Sequence, residues 1–386
     1  FHPMEGCDGT REGAIDTLTR RRYLRFAKSG AGIIWFEATA VTNEGRANPR
    51  QLFLNEDTKE SFKSLIREVK EASLKENGFE PVIIVQLTHS GRFSKPKGTP
   101  EPIVAYRNSH WEKGKEDQPY TVVTDDYCKT IPGKYSAAAK LAEEVGFDGI
   151  DVKCCHGYLF NEFLSAGERE GIYGGSLDNR TRLYFDCIDA VKKSVSDRIF
   201  VTTRLNACDC FPYPYGYGVD EKGNIDLTET KLIIKKLYDK GIRLVNLTLG
   251  NPYLIPHINR PCLNAPEEGS EGLKRIYNVT KELNDSFPEI QFVASGLTFP
   301  GENAMEYAEK IINEGVASFA GFGRLTFAYP DFYKDYLEKG YLEKNKVCLK
   351  CSKCSQLMRA GTVAGCPIRD GEVYMPYYQK FVLGKV

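Results

Sequence analysis

Val82-Ile83-Ile84-Val85-Gln86-Leu87-Thr88-His89 passes from four branched apolar residues into polar ones, and its reading decides the fold. An unbroken apolar run of this length suits a strand buried on both faces, as in a parallel sheet covered by helices. Outward from it the same unit repeats. Ile33-Ile34-Trp35-Phe36 is an earlier buried run, and between the two, Phe62, Leu65, Ile66 and Val69 hold the i, i+3, i+4, i+7 spacing of an amphipathic helix. A helix over residues 137–144 leads into a strand at Gly149-Ile150-Asp151-Val152. The stripe Tyr184, Cys187, Ile188, Val191 precedes a strand over 200–205, and a helix over 227–240 precedes one over 244–247. Residues 271–283 read as helix before Phe292-Val293-Ala294. Met305, Ala308 and Ile312 form the last stripe before a strand over 317–322.

Strands separated by helices of this length require right-handed parallel crossovers. The chain opens at Phe1-His2-Pro3-Met4 without an initiator methionine, and a first strand truncated at that end brings the count to eight. Eight units predict a closed (β/α)8 TIM barrel over residues 1–340, whereas five or six would suit an open doubly wound sheet. A barrel carries its chemistry just beyond the C-terminal ends of its strands. Those positions hold Met4-Glu5-Gly6, Glu37-Ala38-Thr39, Gln86-Leu87-Thr88-His89, Lys153 to Tyr158, Arg204, Gly296 and Gly323-Arg324. Residues 98–132 are too long for a bare connection; with Tyr106, Trp111 and Tyr120 they are expected to form a hairpin or lid at the barrel mouth.

In 386 residues, lysine plus arginine and aspartate plus glutamate each total 52, so the formal net charge is zero. That balance gives no long-range attraction to nucleic acid or to an anionic membrane. No apolar stretch approaches the roughly 18 residues of a membrane span, and a cytoplasmic location is expected. Twelve cysteines in a chain this long favour metal or redox chemistry in a reducing compartment over a disulfide scaffold. Cys7, Cys128, Cys187 and Cys262 are scattered and read as small buried apolar side chains.

Cys348, Cys351, Cys354 and Cys366 are different. Two residues separate each of the first three, and eleven separate Cys354 from Cys366-Pro367. Four thiolates suit zinc or a [4Fe–4S] cluster, and spacing alone leaves both open, with four free thiols as a third reading.

Lys153-Cys154-Cys155-His156-Gly157-Tyr158, continuing through Asn161-Glu162-Phe163-Leu164-Ser165 to Tyr173-Gly174-Gly175-Ser176 and Asn179-Arg180, resembles the signature of the Old Yellow Enzyme family. The resemblance runs from Pro3 to about Cys366 and is closest to the iron–sulfur branch that includes 2,4-dienoyl-CoA reductase and trimethylamine dehydrogenase. It implies bound FMN. Ala38 matches the position against the isoalloxazine and Gln86 the glutamine at its pyrimidine edge. Arg204 matches the arginine near flavin N1 and O2; Gly296, Gly323 and Arg324 match the phosphate loops, and Pro3, Met4 and Glu5 the segment after the first strand. The resemblance also turns the cysteine tail, residues 341–386, into a [4Fe–4S] segment held by Cys348, Cys351, Cys354 and Cys366. That branch usually has three residues between the second and third cysteines, where this chain has two. Lys350 and Lys353 would partly offset the cluster's charge.

The loop after the fourth expected strand departs from the family's His-Gly-Ala-His/Asn-Gly-Tyr. Tyr158 matches the tyrosine that protonates the substrate α-carbon, a role suited to a phenol near pKa 10. His156 would hydrogen-bond the substrate's activating oxygen. Lys153 would add a cationic donor there or pair with a carboxylate. Cys154 and Cys155 read as packing or as a redox pair. Tyr253 and His257 would line the substrate side, or belong to a proline-rich loop; Asp209, Cys210 and residues 211–217 could shape the pocket.

The implied reaction is reduction of an activated C=C bond of an α,β-unsaturated carbonyl or carboxyl compound by an FMN- and iron–sulfur-dependent ene-reductase. NAD(P)H would be the direct or indirect donor, and a separate electron-transfer protein or subunit would feed the cluster. Amine oxidation and a zinc-stapled barrel without flavin are the alternatives.

Overall fold

Seven apolar runs line up as one parallel sheet in the computed structural model, which describes residues 1–114 and 117–385. In chain order the strands are β1 (Ile33–Ala40), β2 (Val82–Thr88), β3 (Ile103–Val104), β4 (Thr121–Val122), β5 (Gly149–Val152), β6 (Phe200–Asn206), β7 (Leu244–Thr248), β8 (Gln291–Ala294) and β9 (Phe319–Ala320). The large sheet runs β1-β2-β5-β6-β7-β8-β9, and every neighbouring pair is parallel. Helices follow the strands and cover the outside, so the strands are buried almost throughout. This is a TIM barrel.

The eighth place is taken by the chain's first residues: Phe1 and His2 bridge the gap between β1 and the chain just past β9. The Phe1 amino group donates to Ile33 O at 2.6 Å, Trp35 N to Phe1 O at 2.9 Å, and His2 N to Phe322 O at 2.9 Å. Three backbone bonds thus stand in the eighth place.

The helix Lys59–Asn77 buries Phe62, Leu65, Ile66 and Val69, the face its spacing predicts. Between β1 and β2 the register slips between Phe36 and Ala38. This bulge re-aims the strand: Ala38 reaches the barrel mouth, while Glu37 accepts from Gly6 N at 2.8 Å and pairs with buried Arg22.

The insertion is shorter than expected. β3 pairs with β4 in parallel, so it is no hairpin, and the short helix Ser109–Glu112 lies between them. A helix then runs Asp125–Val145, straight through Pro132. Thr124 caps it by accepting from Tyr127 N, and Asp125 and Asp126 suit its first turn. After β9 come the helices Phe332–Lys339, Lys353–Arg359 and Gly371–Phe381. Leu357, Val363, Tyr374 and Tyr378 form a small core there, and Asp370 fastens it to Arg21 and Arg25 at 2.7 Å each.

Candidate functional site

The strand ends converge on one cavity of 140 Å³. Pro3, Met4, Glu5, Ala38, Gln86, Arg204, Gly296, Gly323 and Arg324, the residues expected to meet FMN, all line it. So do Lys153, His156, Tyr158 and Tyr253. His257 does not; it sits in the short helix Pro256–Asn259 and lines neither this cavity nor its neighbour. The neighbour, of 370 Å³, shares Glu5, Tyr253 and Met358 and is walled by Phe93, Trp111 and Tyr120. Together the two fall within the ~300–1,000 Å³ typical of ligand sites.

A carboxylate under the floor sets the frame. Asp151 Oδ2 accepts from Gln86 Nε2 at 2.6 Å and Trp35 Nε1 at 2.8 Å, and Oδ1 accepts from Arg204 N at 2.7 Å. Burial raises its pKa to about 6, against the pull of these donors. The sequence signal for it was a lone acid inside an otherwise apolar strand.

Above the floor, Tyr158 donates to Glu5 Oε1 at 3.1 Å and meets Tyr253 Oη at 3.1 Å. Burial and the Glu5 charge hold its phenol well above the ordinary value, so it is protonated. The Lys153 ammonium lies 3.6 Å from the centroid of the Tyr158 ring. Among the described residues no carboxylate forms an ion pair with it, and burial lowers its pKa. Cys154 and Cys155 are both fully buried, and burial raises both thiols.

His156 has a φ of +66° and is followed by Gly157 at +71°. A Cβ on Gly157 would lie 2.3 Å from Asn251 Nδ2, so the turn requires glycine. The His156 imidazole is held neutral by burial, then by Arg204, Lys153 and Arg260. Its Nε2 faces Asn259 Nδ2 at 3.3 Å, and that amide also donates to Thr248 Oγ1 at 2.6 Å. With Nε2 accepting, Nδ1 carries the hydrogen.

Three arginines complete the lining. Arg204 Nε, Arg260 Nε and Arg324 Nη1 are buried atoms without a hydrogen-bond partner among the described residues. Arg324 Nη2 donates to Pro261 O at 2.8 Å, and Arg260 is depressed to about 10 by burial and then by Arg324. Guanidinium nitrogens crowded together without hydrogen-bond partners favour an anion between them. Gly296, at φ +84°, and Gly323 place exposed backbone beside them. Asn259, Arg260, Ser295 and the tail residues Cys354, Ser355 and Met358 also line the cavity, and sequence reasoning had not placed them there.

Cys348, Cys351, Cys354 and Cys366 correct an expectation. They border one space of only 20 Å³, and among the described residues no group of three or more histidines, cysteines or acids is placed to hold a metal ion. Burial keeps two of the thiols protonated, raising Cys348 to about 11 and Cys366 also upward, while Cys351 is exposed. Two sulfurs are engaged by backbone: Lys350 N donates to Cys348 at 3.4 Å and Arg369 N to Cys366 at 3.3 Å. Lys350 and Lys353 turn elsewhere, to Phe299 O and the Tyr378 ring. The iron–sulfur segment, the [4Fe–4S] cofactor, the assignment to the iron–sulfur branch and the zinc-stapled alternative all fall with that finding. A cluster-fed electron partner loses its basis too.

Residues 1–247 match the NADH:flavin oxidoreductase / NADH oxidase family. An NADPH dehydrogenase of Geobacillus sp. (strain WCH70) is 33% identical over 330 residues, 85% of this chain and 85% of that protein. An NADPH dehydrogenase of Clostridium acetobutylicum is 32% identical over 241 residues, 61% of this chain and 66% of that protein. Among solved structures, a 2-naphthoyl-CoA reductase in complex with 2-naphthoyl-CoA superposes with a TM-score of 0.75 at 20% identity, over 95% of this chain and 54% of that one. That likeness shows the fold. The chain therefore spans just under two thirds of the Clostridium protein and about half of the reductase.

Proposed function

Because the chain belongs to the NADH:flavin oxidoreductase / NADH oxidase family, we propose that it is an FMN-dependent ene-reductase that reduces a C=C bond conjugated to a carbonyl or carboxyl group. The observation that carries this reading is the meeting, in one cavity, of unpaired arginine nitrogens with a protonated phenol and a neutral imidazole.

The cavity fits FMN by its donor set. Arg324 and Arg260, with the backbone at Gly296 and Gly323, would hold the phosphate. Arg204 and Gln86 would meet the pyrimidine side of the ring, with Ala38, Pro3, Met4 and Glu5 around it. When bound, FMN supplies the hydride chemistry. The protein's own groups do the rest.

His156, donating from Nδ1, would bind the substrate's carbonyl or carboxylate oxygen, and the Lys153 ammonium would favour the negative charge that develops there. Tyr158 would deliver the proton to the α-carbon. Its position between Glu5 and Tyr253 fixes the hydroxyl, and its raised pKa keeps the proton in place until a carbanion forms. Tyr253 would form one wall on the substrate side. Lys153, Arg204 and Arg260 make this surface inhospitable to a cationic amine, which counts against amine oxidation.

NAD(P)H is proposed as the direct reductant, and a small unsaturated molecule as the partner. No helix among the described residues is long and apolar enough to cross a membrane. We place the protein in the cytoplasm, since all twelve cysteines are free thiols.

Anaerobic titration of the FMN-loaded protein with NADPH and NADH should bleach the flavin absorbance. Reoxidation by a panel of unsaturated acids, ketones and thioesters should restore it. A flavin that no panel member reoxidises sinks the reading.

A further inference from the structure

Cys208 and Cys210 lie just past β6 and line neither of the two cavities. Their sulfur atoms are 3.4 Å apart. What brings them together is backbone shape: Cys210 has a φ of +55°, a left-handed conformation that side-chain-bearing residues seldom adopt, and its N–H donates to Cys208 Sγ at 3.2 Å. Gly218 packs hard against this turn, since a Cβ there would lie 2.9 Å from Cys208 Cα. Cys208 is buried and Cys210 half-exposed, so only one of the pair is open to a reagent.

The residue between them reaches the catalytic loop. Asp209 Oδ1 accepts from Asn206 Nδ2 at 2.6 Å and from Asn161 Nδ2 at 3.1 Å, and Oδ2 accepts from Tyr217 N at 2.9 Å. Asn161 Oδ1 in turn accepts from Gly157 N at 2.6 Å. Gly157 joins His156 to Tyr158. A continuous chain of hydrogen bonds therefore runs from the cysteine pair to the two groups proposed to handle substrate.

We propose that Cys208 and Cys210 are a reversible dithiol–disulfide site, oxidised by a low-molecular-weight disulfide, that loosens the His156–Tyr158 loop when the bond forms. In the first step the Cys210 thiolate attacks one sulfur of the external disulfide; that S–S bond breaks, a mixed disulfide forms on Cys210 and one thiol leaves. In the second, Cys208 loses its proton to solvent and attacks the Cys210 sulfur, and the other thiol leaves. Two cysteine thiols become one disulfide, and the two electrons reduce the oxidant to two thiols. The sulfurs must close from 3.4 Å to about 2.05 Å, which turns the peptide units on either side of Asp209. Its carboxylate cannot then keep Asn206, Asn161 and Tyr217 all in register.

The test uses the purified full chain in glutathione buffers of increasing oxidised fraction, with free thiols alkylated and peptides mapped by mass. The peptide spanning 208–210 should lose both alkyl groups, weigh two hydrogens less, and revert with dithiothreitol. Cys208→Ser should trap glutathione on Cys210, because the resolving thiol is gone. The Gly157 amide should exchange with deuterium roughly fivefold to tenfold faster in the oxidised protein, as expected when one hydrogen bond loosens, and Cys210→Ser should show no such rise. A 208–210 peptide that stays fully alkylated at every poise overturns the site, and needs no variant to do so. A Cys208→Ser protein without glutathione on Cys210 overturns the order of steps, and unchanged Gly157 exchange overturns the link to the loop. None of these readouts requires flavin turnover, so they stand apart from the ene-reductase reading.

Discussion

Tyr158 donates its phenol proton to Glu5 at 3.1 Å, across 153 positions of chain, while Lys153 covers the ring from above. An acid, a phenol and an ammonium are thereby stacked at the strand ends, and the phenol is the member positioned to give up a proton to substrate.

Replacing Tyr158 by Phe should leave reduction of the flavin by NAD(P)H intact and slow reoxidation by substrate by about 10²-fold. Stopped-flow measurement of the two half-reactions separates them. Equal slowing of both, or of neither, removes Tyr158 from the proton-donor role.

Glu5→Gln removes the nearby charge that helps hold the Tyr158 phenol above its ordinary value, so deprotonation of Tyr158 should move to lower pH. Difference ultraviolet titration of E5Q against E5Q/Y158F, set beside the same difference for the wild-type background, isolates that one tyrosine. An upward or absent shift contradicts the assignment of Glu5 as its charged neighbour.

Arg324→Met should weaken FMN binding by roughly ten- to a hundredfold, the worth of one to two charged hydrogen bonds. The apo protein should melt no lower than wild type, because a buried guanidinium without a carboxylate partner stabilises little by itself. Fluorescence quenching on FMN titration and thermal melts of the apo form give the two numbers. Unchanged affinity would take Arg324 out of the phosphate site.

Asp151 makes stability depend on pH in an unusual direction. Its pKa is raised from 3.8 to about 6 on folding, so the folded state binds the proton more tightly than the unfolded chain. The stabilisation is complete below pH 3.8 and lost as pH rises through 6, a swing of about 3 kcal/mol. Asp209, also raised to about 6 by burial, adds to the same trend. The urea midpoint of wild type should fall relative to that of Asp151→Asn as pH rises from 4 to 7. Curves that stay parallel would place the Asp151 proton elsewhere.

Much of the barrel could be read from the sequence because buried parallel strands leave unbroken apolar runs, and because barrel strands end at one rim. That rim rule alone gathered Ala38, Gln86, Lys153, Arg204, Gly296 and Arg324 into one cavity. Two kinds of information were not there to be read. Spacing between Cys348, Cys351, Cys354 and Cys366 says nothing about whether burial and backbone geometry let four sulfurs converge, and the metal expectation failed on that point. Local breakers also mislead when tertiary packing overrides them: Pro132 looked like a boundary, yet the helix Asp125–Val145 passes through it. His257 was assigned to the site by its place after a strand, but the loop turns and brings Asn259 and Arg260 to the cavity instead.

Asp151 binds Gln86, Trp35 and the Arg204 backbone from three different strands, and so constrains how this sequence can drift. A change at 151 leaves two buried side-chain donors stranded at once, so position 151 cannot change alone without cost at 35 and 86. Within any lineage that keeps this floor, single substitutions there should be rare and compensated pairs or triples common, an epistatic lock inherited together with the barrel.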